Sequence, residues 1–191
     1  MMSDLTQADH PSPITHHGLA FAIWLTGLPA SGKSSIVREL RPKLEAAGLT
    51  VEVLESDEVR RVLTPSATYS ESERDLFYRA LAFTGARLVA HGVTVIFDAT
   101  ATRRAYRDFG RSMIQRFVEV AVVCPIETCM QRDYKGTYQR GKRGESLTVP
   151  GLQEPYEAPL HPDLTIDTTK VPANEAAGKI LELVSAKFMS R

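Results

Sequence analysis

A phosphate-loop (P-loop) pattern close to the N-terminus constrains the fold of this chain more than any other feature. Residues 27–35 read Gly-Leu-Pro-Ala-Ser-Gly-Lys-Ser-Ser and contain the pattern G-x-x-x-x-G-K-[ST]. An apolar run of strand length, 20–25, precedes the loop, and a helical pattern follows it. This order of strand, loop and helix predicts an α/β unit that binds phosphate. A glycine-rich turn that binds nothing is the alternative, but it would explain neither the lysine nor the hydroxyl.

The residue types of the loop indicate how a nucleoside triphosphate would be held. Glycines allow a tight turn whose backbone N–H groups point inward, and the helix that follows adds the positive end of its dipole. Lys33 is predicted to contact the β- and γ-phosphates, and Ser34 is predicted to ligate Mg²⁺ through its hydroxyl. The predicted nucleotide-binding residues of the loop are Gly27, Pro29, Ala30, Ser31, Gly32, Lys33, Ser34 and Ser35.

Strands and helices alternate along the rest of the chain. Strands are predicted at 20–25, 50–54, 93–97, 117–123 and 164–166, and helices at 33–47, 58–63, 70–91, after 98, at 126–133 and at 173–187. Repeated β-α units predict a three-layer α/β/α P-loop NTPase fold with a mainly parallel five-stranded sheet, in a single domain over 18–191. Residues 135–160 contain four glycines and three prolines, and we expect them to form a C-terminal lid loop.

Composition narrows the classes of partner. The 23 basic and 23 acidic residues balance, so we expect no nucleic-acid partner. No apolar stretch approaches the roughly 20 residues that span a bilayer, so we expect no membrane segment. Residues 1–17 lack periodicity and are predicted to be a flexible tail. Cys124 and Cys129 offer no disulfide framework, and we interpret them as thiols of a cytoplasmic protein.

Two aspartates follow predicted strands at the edge where the phosphates must lie. Phosphoryl transfer needs a carboxylate near Mg²⁺ or the attacking hydroxyl, so Asp57 is predicted to be the base or a metal ligand. Its alternative role is to cap a helix that begins at Glu58, and Asp98 has the same two alternatives. The chain lacks the Asn-Lys-x-Asp pattern of GTPases, which favours a small-molecule kinase.

Several separated motifs resemble one kinase family. Residues 54–60, Leu-Glu-Ser-Asp-Glu-Val-Arg, resemble L-D-G-D-N-V-R, and residues 69–74 resemble F-S-x-x-D-R. Residues 125–138 follow P-x-x-x-C-x-x-R-D-x-K-G-x-Y, residues 155–159 follow P-Y-E-x-P, and residues 163–168 match a final strand. Over 20–168 the chain is similar to the adenylylsulfate kinases, which phosphorylate the 3′-hydroxyl of adenosine 5′-phosphosulfate with ATP.

The resemblance implies the cofactors ATP and Mg²⁺, a small-molecule nucleotide substrate and a homodimer. It places Arg132 near the ATP, although Arg132 could instead pair with Asp133 or cap a helix. Lys33, Asp57 and Lys135 are the expected catalytic residues, and Ser34 and Asp57 the expected metal ligands. The expected substrate-binding residues are Arg60, Tyr69, Arg74, Phe77, Asp98, Lys135 and Tyr156.

The acceptor side departs from the family at three places. Phe77 stands where the family has an asparagine, Val149 where it has a phenylalanine that stacks on adenine, and 98–100 read Asp-Ala-Thr rather than I-S-P. Phe77 and Tyr69 are candidates to replace the lost stack. Asp-Ala-Thr before Arg103, Arg104 and Arg107 also resembles polynucleotide kinases and seryl-tRNA kinase. The alternatives are a similar kinase for another nucleotide, sugar-nucleotide or small alcohol, and a nucleotide-binding module without catalysis.

Overall fold

The computed structural model describes residues 20–189, so the tail predicted for 1–17 lies outside the described residues. The strands are β1 Ala22–Thr26, β2 Val51–Glu55, β3 Thr94–Asp98, β4 Phe117–Val123 and β5 Leu164–Asp167. The helices are α1 Lys33–Ala46, α2 Ser56–Leu63, α3 Glu71–Ala90, α4 Arg104–Met113, α5 Ile126–Gln131, α6 Thr137–Lys142 and α7 Ala173–Val184.

The five strands form one parallel sheet in the order β2-β3-β1-β4-β5. Helices α1 and α7 pack on one face of the sheet, and α3 and α4 pack on the other. The predicted three-layer α/β/α fold is therefore confirmed. In such a sheet, ligands bind beyond the carboxyl ends of the strands, where the loop 27–32 lies.

Strand β1 at the centre of the sheet is apolar on both sides because both faces are covered. Ile23 and Leu25 point towards α1 and α7, while Trp24 points towards α3 and α4, as the two-residue period of a strand requires. Trp24 stacks on Phe97 of β3, with 4.4 Å between ring centroids. Its indole nitrogen donates to the Ala99 carbonyl at 3.1 Å, which fixes the segment after β3. The core thus holds the ends of β1 and β3 together.

Two local predictions need correction. The predicted lid, 135–160, is not a loop throughout, because α6 forms within it. Asp133 accepts hydrogen bonds from the backbone N–H groups of Thr137 and Gln139 at 2.7 and 3.0 Å, which stabilises the start of that helix. The last α-helix ends at Val184, and a π-helical turn, Ser185–Met189, continues to the end of the described residues.

Three further features bear on the class of protein. No helix within 20–189 combines the length and the apolar character that a membrane crossing requires. Cys124 and Cys129 are both free and buried. The same described part of the chain contains no group of three or more His, Cys, Asp or Glu side chains that could hold a metal ion.

We expect Gly85→Ala to lower the free energy of unfolding by roughly 1–3 kcal/mol, because the new methyl would overpack the core. A Cβ at Gly85 would lie 2.2 Å from Cζ of Phe97. Gly178 is the matched control, since it also lies in a helix and its Cβ would meet nothing within 4 Å. Gly178→Ala should stabilise the protein by roughly 0.5–1 kcal/mol. Chemical denaturation of both variants measures the difference, and equal stabilities would contradict this view of the core.

Candidate active site

The loop between β1 and α1 adopts a conformation that glycine makes possible. A Cβ on Gly27 would lie 2.3 Å from the Val122 carbonyl oxygen, so only glycine fits against β4 there. Gly32 has φ 102° directly before α1, and Ala30 also lies in the left-handed region, at φ 58°. Backbone strain of the kind seen at Ala30 is concentrated at binding sites. The loop is therefore held in a fixed shape, within which the Ser31 N–H donates to the Leu28 carbonyl oxygen at 3.2 Å.

Lys33 is buried at the start of α1. Its Nζ donates to the carbonyl oxygens of Gly27 and Leu28 at 3.0 and 2.9 Å, so the lysine closes the loop from inside. Burial lowers the pKa of Lys33, and the carboxylates of Asp98 and Asp57 act in the opposite direction. A buried ammonium favours the arrival of an anion, because a negative partner offsets the cost of removing the charge from water.

A cavity of about 290 Å³ lies against the loop and is the candidate donor site. Arg132 lines it, and its guanidinium donates to the Thr168 hydroxyl and carbonyl oxygens, both at 3.1 Å. Thr168 in turn donates to the Ser31 carbonyl oxygen at 2.8 Å. Thr168 therefore ties Arg132 to the loop, and the predicted alternative of an Arg132–Asp133 pair is not what forms. The Ser31 hydroxyl is buried without a hydrogen-bond partner, which leaves a donor for a ligand.

A larger cleft of about 790 Å³ adjoins the donor cavity and is the candidate acceptor site. Asp57 and Lys135 meet in it, with 2.7 Å between Lys135 Nζ and the Asp57 carboxylate. Glu55 accepts a second hydrogen bond from the same ammonium at 3.0 Å. Partial burial alone would lower the pKa of Lys135, but the two carboxylates outweigh it and raise this pKa. Lys135 is therefore a permanent positive charge that links the lid to α2.

Asp98 lies at the end of β3, and its carboxyl is buried. Burial raises the pKa of Asp98, while Lys33 and the Ser34 hydroxyl act in the opposite direction. Asp98 does not cap a helix, since α4 begins only at Arg104. Nor does Asp57 serve as an N-cap at Glu58, because α2 already begins at Ser56. Neither aspartate therefore serves as a helix cap: Asp98 lies at the end of β3 beside Lys33 and Ser34, and Asp57 contacts Lys135 in the cleft.

Arg60, Tyr69 and Arg74 line the acceptor cleft, as the sequence predicted for substrate-binding residues. Tyr69 is 41 % exposed and has φ 55°, in the left-handed region. The two arginines are largely occupied by the protein itself. Arg60 forms an ion pair with Glu73 at 3.2 Å, and Arg74 donates to the carbonyl oxygens of Tyr69 and Thr148 at 3.0 and 2.9 Å.

Phe77 and Tyr156 do not line the cleft, so their predicted roles as substrate contacts do not fit the structure. Phe77 is buried, and the Arg60 guanidinium covers its ring at 3.7 Å, so no face is open to a base. The Tyr156 hydroxyl lies 3.0 Å from the Thr26 hydroxyl and joins the lid to the end of β1. Val149 is also buried, in a cluster with Cys129 and Tyr138. Of the two candidates to replace the lost aromatic stack, only Tyr69 is in place.

Sequence reasoning missed residues whose positions depend on tertiary contacts. Glu55 shares Lys135 with Asp57, and Thr168 holds Arg132. Arg61 and Arg140 line the acceptor cleft, one on α2 and the other on α6. A signal existed for Arg61, which lies four residues after Asp57 and therefore on the same face of a helix. Thr168 ends the segment 163–168 that resembles the family's final strand, but the resemblance assigned it no role.

The chain has a P-loop NTPase fold of the kinase type. Its P-loop lies on a parallel sheet, two cavities adjoin the loop, and carboxylates lie at the ends of the strands. The family model for adenylylsulphate kinase matches residues 19–167. The probable adenylyl-sulfate kinase of Archaeoglobus fulgidus is 40% identical over 152 residues, which cover 80% of this chain and 98% of that protein. The adenylyl-sulfate kinase of Microcystis aeruginosa is 39% identical over 158 residues, 83% of this chain and 87% of that protein. The chain belongs to the adenylyl-sulfate kinase family.

A solved structure supports the same relationship. The Mycobacterium tuberculosis APS kinase CysC, in complex with AMPPNP and APS, superposes with a TM-score of 0.82 and 29% sequence identity. The match covers 87% of this chain and 98% of that one.

Proposed function

We propose that this protein transfers the γ-phosphoryl group of ATP to the 3′-hydroxyl of adenosine 5′-phosphosulfate, giving ADP and 3′-phosphoadenylylsulfate. The observation that carries the proposal is the junction of the two cavities. Ala30, Lys33, Ser34 and Tyr134 line both of them, so a phosphoryl group held at the loop faces directly into the acceptor cleft. Family membership supports this choice of donor and acceptor.

Each charged group at the junction has a role in this proposal. Asp57 is 61 % exposed in the cleft and accepts the proton of the attacking hydroxyl. Lys135 orients the Asp57 carboxylate and places positive charge near the transferred group. Lys33 and Arg132 stabilise the phosphate oxygens on the donor side. The protein therefore contributes position and charge, which phosphoryl transfer mainly requires.

The donor set fits Mg²⁺. Ser34 offers a hydroxyl and Asp98 a carboxylate beside it, and Mg²⁺ is usually held by one or two such oxygen ligands with the substrate phosphates. When bound, the ion would neutralise charge on the phosphates. We assign the metal to Ser34 and Asp98, in place of the pair Ser34 and Asp57 expected from the sequence, because Lys135 holds Asp57.

The test is to incubate the protein with Mg²⁺-ATP, with and without adenosine 5′-phosphosulfate, and to follow ADP and the 3′-phosphorylated product. We expect turnover on the order of 1 s⁻¹ or faster that requires the acceptor. ADP release at the rate of the control without acceptor would contradict the proposed substrate.

A kinase for another hydroxyl acceptor is the second candidate function, and the acceptor wall favours it. Phe77 and Val149 stand where the adenylylsulfate kinase pattern has an asparagine and a stacking phenylalanine, so the cleft lacks both of those side chains. Other nucleotides, sugar-nucleotides and small alcohols in the same assay distinguish the two candidates. Turnover of one of them well above that of adenosine 5′-phosphosulfate would favour the second.

The oligomeric state is proposed from the family resemblance, and the cellular compartment is proposed from the two cysteines. We propose a homodimer; a Thiobacillus denitrificans relative, 28% identical with a TM-score of 0.66, is described as a hexameric APS kinase, and this chain spans 30% of its length. A reducing compartment such as the cytoplasm suits the two free buried thiols.

A further inference from the structure

The segment that follows β3, residues 98–101, forms one wall of the acceptor cleft. Asp98 and Thr100 line the cleft, and Asp98 lies beside the hydroxyl of Ser34. Ala101 has φ 45°, a left-handed conformation that is strained for a residue other than glycine. Strain of this kind persists only where the surrounding structure holds the backbone firmly. The neighbours of the segment 98–101 therefore determine its position.

Two side chains of β1 hold two successive carbonyl groups of this segment. Trp24 and Thr26 are two residues apart in the strand, so they project from the same face. Trp24 donates to the Ala99 carbonyl oxygen at 3.1 Å, and the Thr26 hydroxyl donates to the Thr100 carbonyl oxygen at 2.6 Å. Thr26 is fully buried and directly precedes the phosphate loop. The loop and the segment 98–101 are therefore tied together at the point where β1 ends.

Tyr156 of the lid extends this arrangement. Its hydroxyl oxygen lies 3.0 Å from the Thr26 hydroxyl oxygen. Thr26 has a single hydroxyl proton and donates it to Thr100, so the Tyr156 hydroxyl must be the donor to Thr26. Burial raises the pKa of Tyr156, so this hydroxyl stays protonated and able to donate. A chain of two hydrogen bonds thus runs from Tyr156 through Thr26 to Thr100.

The lid residue next to Tyr156 is anchored to the same region of the protein. Arg107 donates to the Glu157 carbonyl oxygen at 2.6 Å, and the Glu157 N–H donates to the Thr102 carbonyl oxygen at 2.8 Å. The same Arg107 guanidinium donates to the carbonyl oxygen of Ala101. Tyr156 therefore belongs to a firmly anchored part of the lid.

We propose that Thr26 and Tyr156 are positioning residues for phosphoryl transfer. Their hydrogen bonds set the position of the segment 98–101, and with it one wall of the acceptor cleft, relative to the phosphate loop. Transfer between two bound groups is sensitive to such alignment, and a displacement of about 1 Å lowers the rate by roughly 100-fold. The inference rests on the proposed function for phosphoryl transfer to a hydroxyl in this cleft, but not for the identity of the acceptor.

The experiment compares variants that remove only a hydroxyl. Thr26→Val and Tyr156→Phe break the chain of hydrogen bonds and keep the shape of the side chain, whereas Thr26→Ser retains the hydroxyl. We expect each of the first two to lower kcat by roughly 10- to 100-fold, and to change AMPPNP affinity, measured by calorimetry, by less than about 2-fold. The double variant should lose little more than either single variant, because both residues act through one chain. Thr26→Ser should retain most of the wild-type kcat.

Two buried hydroxyls without a partner provide matched controls. Within residues 20–189, the hydroxyl groups of Tyr106 and Thr94 are buried and form no hydrogen bond. Tyr106→Phe and Thr94→Val therefore make the same chemical changes as the test substitutions without breaking a hydrogen bond. We expect both controls to keep kcat within about 2-fold of the wild-type value.

Trp24 gives a readout that requires no substrate. It is the only tryptophan of the chain, and its indole nitrogen is bonded to Ala99, next to Thr100. Tyr156→Phe should shift the tryptophan fluorescence emission, because the substitution acts on the segment 98–101 through Thr26. Tyr106→Phe should leave the emission unchanged.

The outcomes separate this inference from the proposed function. A wild-type kcat in both Thr26→Val and Tyr156→Phe would overturn the inference, as would an equal loss in the controls or a loss explained by AMPPNP affinity. An unchanged emission in Tyr156→Phe would overturn it too. If the wild type phosphorylates another hydroxyl acceptor instead of adenosine 5′-phosphosulfate, and the two variants lose that activity, the proposed function fails and the inference stands. If no acceptor is phosphorylated, both fail. Thermal unfolding of each variant checks that the fold is intact.

Discussion

Asp57→Asn is expected to lower kcat by roughly 10²- to 10⁴-fold, because asparagine keeps the shape of the side chain but cannot accept the hydroxyl proton. Asp57 is exposed in the cleft and contacts Lys135. Asp57 lines the acceptor cleft and not the donor cavity, so ATP affinity should change by less than about 2-fold. Single-turnover kinetics with saturating Mg²⁺-ATP, together with nucleotide binding measured separately, distinguishes a loss of chemistry from a loss of binding.

We also expect the lid to keep its contact with the sheet in the Asp57→Asn variant. Without the Asp57 carboxylate, Lys135 retains Glu55 as a partner at 3.0 Å, so the lid should stay attached to the end of β2. Glu58→Gln is the control, since Glu58 is the next residue on α2, is exposed and does not line the cleft. Full activity of Asp57→Asn would contradict the role of Asp57 as the base and would assign the proton to another group.

The fold was largely predictable because the local hydrophobic and glycine patterns agree with the positions that the strands and the loop occupy in the sheet. Strand β1 alternates between two covered faces, and the loop that follows has glycines where Gly27 meets β4 and Gly32 turns into α1. The apolar strand and the two glycines are close together in the sequence, so the sequence alone is enough to predict where the nucleotide site lies. The lid was harder to predict, because α6 depends on capping by Asp133 and on burial of Tyr138.

The acceptor site was predictable only in part. Motif spacing selected Asp57, Arg60 and Arg74, and all three line one cleft. It could not reveal that Arg60 would lie over Phe77, because that contact joins α2 and α3 and depends on how the two helices pack. For the same reason Phe77 looked like a candidate substrate contact while the structure buries it. The residue type at a position that matches a family motif did not show whether its side chain faces the cleft or the protein core.

Lys33→Met is expected to reduce kcat/KM by roughly 10²- to 10³-fold or more, because it removes the positive charge proposed to stabilise the phosphate oxygens on the donor side. The fold should persist. Methionine matches the length and apolar stem of lysine, and it avoids burying the ammonium that burial disfavours. Loss of the hydrogen bonds to the Gly27 and Leu28 carbonyls opposes this gain, so the unfolding midpoint should move by only a few degrees. Lys43→Met, at the far end of α1, is the control for loss of a positive charge.

The pH dependence of the free energy of unfolding is an independent test of the burial of the Lys33 ammonium. Folding lowers the pKa of Lys33 from its ordinary 10.5. Between the pKa of the folded protein and 10.5, the unfolded chain therefore binds more protons at this site than the folded chain does. The free energy of unfolding therefore gains a contribution that rises with pH across this window, and Lys33→Met lacks it. Stability of the variant relative to the wild type should consequently fall as the pH rises towards 10.5, as measured by chemical denaturation. A constant difference would mean that burial does not disfavour the Lys33 ammonium in the folded protein.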